Sequence, residues 1–477
     1  MPEQPPSLTW QLLAGVHLDA RYRDAVINEL YEHEERYSAP SYDVDTAAVL
    51  AEALDARRTA LRWAAPMALL WIAGFLFAGW LFALYAAGCA ALFGAAALRP
   101  VRRPAGRVTA GALRVLGGSV LVASAALAVA TARTADWPEV TAAFGGPVLM
   151  AAVAGAHRAA VGRRLRFIDS AAYRGRAQPH RFNVIRALLH ADQMSPLVVH
   201  REPTPFLGSG PVLDSLALAV EVRGATATFE VSDALERVAR AVEAVPGLTT
   251  QVDECFLLPE EEVSPRSPSY PLPGLLPSST RWLRIASRGL GSRLTTVFVQ
   301  IRLDGPILFV QQVTCALPPV RREFTAADLP GARLVPLGTA LAAPAALPAE
   351  LAAWPLRRVR RLSSPPSGRP PSGPHASVRE LAAEPDLPPL AAAEARRISR
   401  TVHLLVLDAL RATLRDRGLS APGLGEPQQE SSRVFEGGIH IGNISPGAPA
   451  RTGDITRHTS PGPTTNPDDD SWEDDLG

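Results

Sequence analysis

The chain has 477 residues and a formal net charge of +1, and all 48 of its basic residues are arginine. The length leaves room for two or three domains, and the near-neutral balance argues against nucleic acid as a partner. The absence of lysine excludes a Walker-A loop, a kinase strand lysine and Schiff-base catalysis, and together with abundant Ala, Pro and Gly it points to a GC-rich bacterial genome.

Residues 1–62 read as a small helical cytoplasmic segment. Tyr22, Val26, Ile27 and Leu30 fall at helical spacing within Ala20 to Tyr37, and Val44 to Trp63 forms a second helix after the break Ser38-Ala39-Pro40-Ser41. His33-Glu34-Glu35-Arg36-Tyr37 approaches the H-E-x-x-H zinc pattern but lacks the second histidine, so it reads as a solvated helix end. No signal-peptide core precedes Ala64, so the first span is expected to direct insertion.

Residues 63–161 are the membrane region. Ala64 to Leu98 carries no charge over thirty-five residues, about 52 Å as one helix and far more than a hydrocarbon core of about 30 Å. The run is therefore read as two spans broken at Ala78-Gly79-Trp80, followed by Val115 to Ala132 and Val140 to Ala156, four in all. Arginines cluster before the first span (Arg57, Arg58, Arg62), between the second and third (Arg99, Arg102, Arg103, Arg107, Arg114) and after the fourth (Arg158, Arg163, Arg164, Arg166). Only Arg133 falls opposite, so both termini are expected in the cytoplasm. The spans lack Asp, Glu and Arg, which argues against a pump or coupled transporter. Ala86, Ala90 and Gly94 form a small-residue stripe expected to pack helices.

Residues 162–325 read as a soluble α+β domain. Strand signals lie at Leu197 to His200, Val252 to Leu258, Trp282 to Ala286, Leu294 to Leu303 and Ile307 to Cys315, and Leu213 to Val222 suits strand or helix. One helix, capped by Ser232 and stopped by Pro246-Gly247, puts Leu235, Val238, Ala239, Val242 and Val245 on one face. Asp304-Gly305 suggests a hairpin turn, but Pro306 lacks the N–H to close it, so a loop wider than two residues is expected.

Residues 326–389 are a Pro-, Ala- and Arg-rich stretch, either a linker or a membrane-surface segment. Residues 390–418 form an amphipathic helix with Ile398, Val402, Leu405, Val406 and Ala409 on one face, and residues 419–477 hold a Gly-rich run and an acidic tail expected to be disordered. That tail could also fold back on Arg357, Arg358, Arg360 and Arg361.

The one candidate ligand loop is Pro205-Phe206-Leu207-Gly208-Ser209-Gly210. Glycines after a strand can aim backbone N–H groups at a phosphate, so Gly208, Ser209 and Gly210 are the ligand-binding candidates, with a tight structural turn as the other reading. The third glycine of a dinucleotide fingerprint is missing. Cys89, Cys255 and Cys315 form no C-x-x-C pair, the spacing of His190, Asp192 and His200 matches no metal site, and no catalytic Ser/His/Asp or Cys/His arrangement stands out. No catalytic residue, metal or cofactor is therefore expected.

Together with Asp304-Gly305, Ala376-Ser377-Val378-Arg379-Glu380, the Val44-Asp45 to Arg57-Arg58 segment and Gly438-Ile439-His440-Ile441-Gly442-Asn443, the Pro205 to Gly210 motif resembles a group of multi-pass membrane proteins of unassigned function from high-GC, actinobacterial-type bacteria. The resemblance implies this architecture and no activity; those proteins carry a longer apolar, basic region where Leu334 to Arg361 stands here. The expectation is a four-span inner-membrane protein whose partners are the lipid bilayer and an unidentified protein. It would act as a non-enzymatic partner-binding or sensory component; the alternative is a membrane-tethered enzyme or receptor for a nucleotide-like ligand.

Overall fold

The computed structural model describes residues 8–98, 104–131, 137–166, 180–201, 205–224, 229–246, 250–263, 279–288, 294–325, 344–349, 351 and 373–424. The arginine cluster at 357–361, the Gly438 to Asn443 run and the acidic tail lie outside them.

A mixed six-stranded sheet organises the α/β domain. Its strands are β1 (Leu197–His200), β2 (Val212–Glu221), β3 (Thr250–Pro259), β4 (Thr280–Arg288), β5 (Leu294–Asp304) and β6 (Ile307–Leu317), in the spatial order β1-β3-β4-β5-β6-β2. Only the β1 and β3 pair is parallel. Alternation along β5 sends Val297, Val299 and Ile301 to one face and Phe298 to the other, as period-two side chains must.

On the first face lie two helices, Val231–Glu243 and Pro389–Asp416. Ala234, Leu235, Val238 and Val242 of the shorter helix meet Ile398, Val402, Val406, Ala409, Leu410 and Leu414 of the longer one over the sheet. The amphipathic C-terminal helix thus docks on the sheet. Between its apolar contacts, Ser399 takes hydrogen bonds from Gln312 Nε2 and from the Thr314 hydroxyl, all three residues being buried. The shorter helix begins at Val231, with Glu230 rather than Ser232 at the cap position and no side-chain cap bond. The hairpin also departs from expectation. Asp304 pairs directly with Ile307, so the loop is two residues, Gly305 and Pro306. Gly305 supplies the positive φ of 57° that a type II′ turn needs first, and proline's fixed φ suits the second place.

A second core joins segments far apart in sequence. Helices α1 (Leu8–Leu18), α2 (Ala20–Ile27), the start of α3 (Thr46–Leu98) and α6 (His180–Met194) share it with Phe324, Val378 and Ala382. The rings of Tyr22 and Phe324 lie 5.2 Å apart.

The helix α3 bends at Gly79, whose φ of 51° and ψ of −123° are those of a reversing turn. Phe82 consequently lies back against Phe75 and Trp71, with ring centroids 5.0 and 5.5 Å apart. Helices α4 (Pro104–Thr131) and α5 (Trp137–Arg166) follow. Two helices among the described residues are long and apolar enough to cross a membrane, Thr46–Phe77 and Val108–Thr131, and Phe82–Ala95 is a shorter apolar helix. Large apolar side chains face outward along them, Leu76 at 75% exposure and Val122 at 71%. Of the Ala86, Ala90, Gly94 stripe, Ala86 is buried and a Cβ on Gly94 would lie 3.6 Å from Leu113 of the next helix, whereas Ala90 is exposed; the close backbone approach lies elsewhere. It is Gly117 against Gly88, where a Cβ on Gly117 would sit 2.9 Å from the Gly88 carbonyl oxygen. Two bare Cα atoms let the backbones meet.

Candidate functional site

The Gly208-Ser209-Gly210 loop sits where three distant segments converge. Phe206 anchors it to the second face of the sheet, its ring 4.6 Å from that of Phe298 and 5.4 Å from that of Trp282. The Ser209 N–H closes a turn on the Phe206 carbonyl at 3.3 Å. Gly208 and Gly210 have φ of 86° and 84°, a conformation that favours glycine. Space demands glycine as well: a Cβ on Gly208 would lie 2.1 Å from the Pro40 carbonyl oxygen, and one on Gly210 would lie 2.6 Å from that of Ala316.

The two glycine N–H groups do point at a single anionic oxygen, and the chain supplies it. Gly208 and Gly210 donate to Glu380 Oε1 at 2.8 and 3.0 Å. The other carboxylate oxygen, Oε2, accepts the Ser377 N–H at 2.9 Å, and the Ser377 hydroxyl accepts the Glu380 N–H at 3.1 Å. This is a capping box on the five-residue helix Val378–Ala382, whose Val378 N–H donates to the Ser41 hydroxyl at 3.2 Å. Ser209 Oγ is buried without a hydrogen-bond partner among the described residues. A phosphate could use these N–H groups only after Glu380 had left.

Charged and aromatic groups surround the loop. Arg379 is buried, which pushes its guanidinium down to about 10, with Asp43 opposing and Arg288 adding to the shift; it stays protonated at neutral pH. Arg288 pairs with Asp43, and Arg284 pairs with Asp253 while stacking over the Tyr42 ring at 4.0 Å. Burial pushes the Cys255 thiol up to about 12 and raises that of Cys315, so neither is a thiolate nucleophile at neutral pH.

The sequence singled out the glycines but assigned no role to Glu380. Its signal was legible: Ser377-Val378-Arg379-Glu380 has the S-x-x-E spacing of a capping box.

His190, Asp192 and His200 do not combine as ligands. Asp192 Oδ2 accepts the Ser38 N–H at 2.8 Å, and burial pushes His200 down to about 4, with Glu260 opposing. No group of three His, Cys, Asp or Glu placed to hold a metal occurs among the described residues.

A second polar locus lies where α1, α3 and α5 meet. Arg164, near the end of α5, donates Nε and Nη2 to the two carboxylate oxygens of Glu52 on α3 at 2.8 and 3.0 Å, and Nη2 also reaches Asp55 at 2.9 Å. His17 Nε2 of α1 lies 2.8 Å from Glu52 Oε1. Burial raises the Glu52 carboxyl, but the hydrogen bonds from His17 and Arg164 outweigh it and hold the group below its ordinary value.

Comparison with curated proteins finds no match, and neither does comparison with solved structures. Residues 214–445 match the model of an AbeC-like domain, just under half of the chain. The matched stretch starts inside β2, takes in β3 to β6, Glu380 and the C-terminal helix, and leaves out β1, the glycine loop and helices α3, α4 and α5. Over these residues the chain is similar to an AbeC-like domain.

Proposed function

We propose that the protein is a four-span inner-membrane component with both termini in the cytoplasm, of the architecture its resemblance to actinobacterial-type multi-pass proteins implies. Its α+β domain would bind a protein partner or relay a signal without catalysing a reaction. One observation carries the reading, the continuity of α3. The same helix that seats Ala48, Val49, Ala53 and Ala56 in the soluble core runs on through the apolar Ala64 to Phe77 stretch. A rigid rod shared by two environments transmits a tilt from one to the other. The part of α3 from Trp80 to Leu98 and the Val140 to Ala156 part of α5 supply the remaining spans. The pairing of Arg164 with Glu52 and Asp55 supports this count, because it returns α5 to the side where Arg57, Arg58 and Arg62 stand.

The orientation is tested on the full chain with reporters fused after Gly477. A fluorescent reporter that matures in the cytoplasm should light up and an export-dependent phosphatase should stay silent; the reverse pattern overturns the topology. A stoichiometric protein retained in mild detergent supports the partner reading. The second reading, a nucleotide-like ligand at Gly208, Ser209 and Gly210, is favoured by the convergence of two N–H groups on one anionic oxygen. It requires a nucleotide-induced rise in melting temperature that grows in Glu380→Ala, and no rise with any nucleotide removes it.

A further inference from the structure

Between Arg333 and Glu350 lie sixteen uncharged residues interrupted by Pro336, Pro344 and Pro348, which do not suit one continuous helix across a bilayer. Residues 344–349 of this stretch form a short helix that packs against the apolar helices rather than against the soluble domain. Leu347 is 4% exposed and shares a cluster with Ala64, Met67, Phe82, Met150 and Ala154. The Trp71 indole N–H donates to the Pro344 carbonyl at 2.8 Å. Trp71 stands nine residues beyond Arg62, about 13 Å along the helix and well inside the hydrocarbon if α3 spans.

Both flanks of the segment belong to the soluble part. Phe324 is packed in the second core, and the Gly373 N–H donates to Glu260 Oε2 at 2.9 Å. Thr325 and Gly373 therefore both stand with the α/β domain, while Pro344 between them in sequence stands at the level of Trp71.

Backbone at that depth must have its polar groups satisfied or absent. Pro344 and Pro348 have no N–H to satisfy, which suits a helix too short to pair its own ends. Proline also fits the first helical position, and Trp71 satisfies the carbonyl of Pro344. The prolines that rule this stretch out as a full span thus lower the cost of a short insertion.

We propose that residues 344–349 are a re-entrant segment seated in the bilayer interior from the cytoplasmic side, lodged between α3 and α5 and held by Trp71. The proposal rests on the reading of Ala64 to Phe77 as a span.

The test uses the full chain, whose own three cysteines are buried, so single introduced cysteines take a small thiol-reactive fluorophore. Ala346→Cys is the probe, Leu69→Cys the span control at an outward-facing site, and Leu404→Cys on the C-terminal helix the soluble control, both control sites being exposed. After reconstitution into vesicles containing lipids brominated along the acyl chain, quenching at position 346 should reach at least half that at 69, against almost none at 404. Trp71→Phe should lower quenching at 346 at least twofold and leave 69 unchanged. Quenching at 346 no greater than at 404, with 69 still quenched, overturns the re-entrant segment alone. Loss of quenching at 69 overturns the span itself, and the re-entrant segment with it.

Discussion

Glu380 Oε1 accepts the Gly208 N–H at 2.8 Å across 172 residues of chain. The same carboxylate takes the N–H groups of Gly210 and Ser377, so one side chain ties the loop before β2 to the segment before the C-terminal helix. Removing it strands buried donors, at about 1 to 3 kcal/mol each. Glu380→Ala should destabilise the full chain in detergent by about 3 kcal/mol or more. Glu380→Gln, which keeps one acceptor oxygen, should fall between wild type and Glu380→Ala. Thermal melts that superimpose for all three proteins would refute the latch.

Two glycines of positive φ should respond very differently to alanine. At Gly208 a Cβ meets a backbone carbonyl at 2.1 Å, so Gly208→Ala should prevent accumulation of folded protein. At Gly305 a Cβ meets nothing within 4 Å, and only the positive-φ backbone is penalised, by about 1 to 3 kcal/mol. Comparable yields of the two variants from membranes would contradict the close approach to Pro40.

Gly79 tests the bend in α3 by the same logic. Its φ of 51° with ψ of −123° is a glycine conformation with open space around it, so Gly79→Ala should cost about 1 to 3 kcal/mol through the backbone alone. Gly118, a helical glycine that also has nothing within 4 Å, should gain slightly on replacement by alanine. Detergent melts that move both variants in one direction would argue against a bend at Gly79.

The junction of His17, Glu52 and Arg164 should carry a pH signature. The Glu52 carboxyl is held below its ordinary value of 4.5, so its contribution is complete at neutral pH and is lost as pH falls through the lowered value. Glu52→Gln should be less stable than wild type at pH 7 by about 2 kcal/mol, less than a fully buried pair because Arg164 is partly solvated. That gap should narrow below pH 4.5. A gap constant from pH 7 to pH 3 would show that Glu52 acts through packing and not through charge.

Most strands were legible because β5 and its neighbours alternate along the chain, and the C-terminal helix because its apolar residues recur at helical spacing. The hairpin loop is narrower than the sequence implies: with Asp304-Gly305 as the turn, Pro306 would have to donate the closing N–H, and only the pairing of Asp304 with Ile307 shows that Gly305-Pro306 is the turn instead. The helix at Val231 also starts earlier than its sequence implies: Ser232 has capping chemistry but lies inside the first turn, and Glu230 holds the cap position without a side-chain cap bond.

By itself the sequence determined what is local. Uncharged runs, the arginines that flank them, the alternation of the strands and the glycine at the bend each act over a few residues, and a linear reading finds them. The tertiary structure alone decided who meets whom: Glu380 in the glycine loop, Arg164 on Glu52, and the Pro344 carbonyl on Trp71. Those pairings depend on chain closure over a hundred residues or more, which no periodicity encodes.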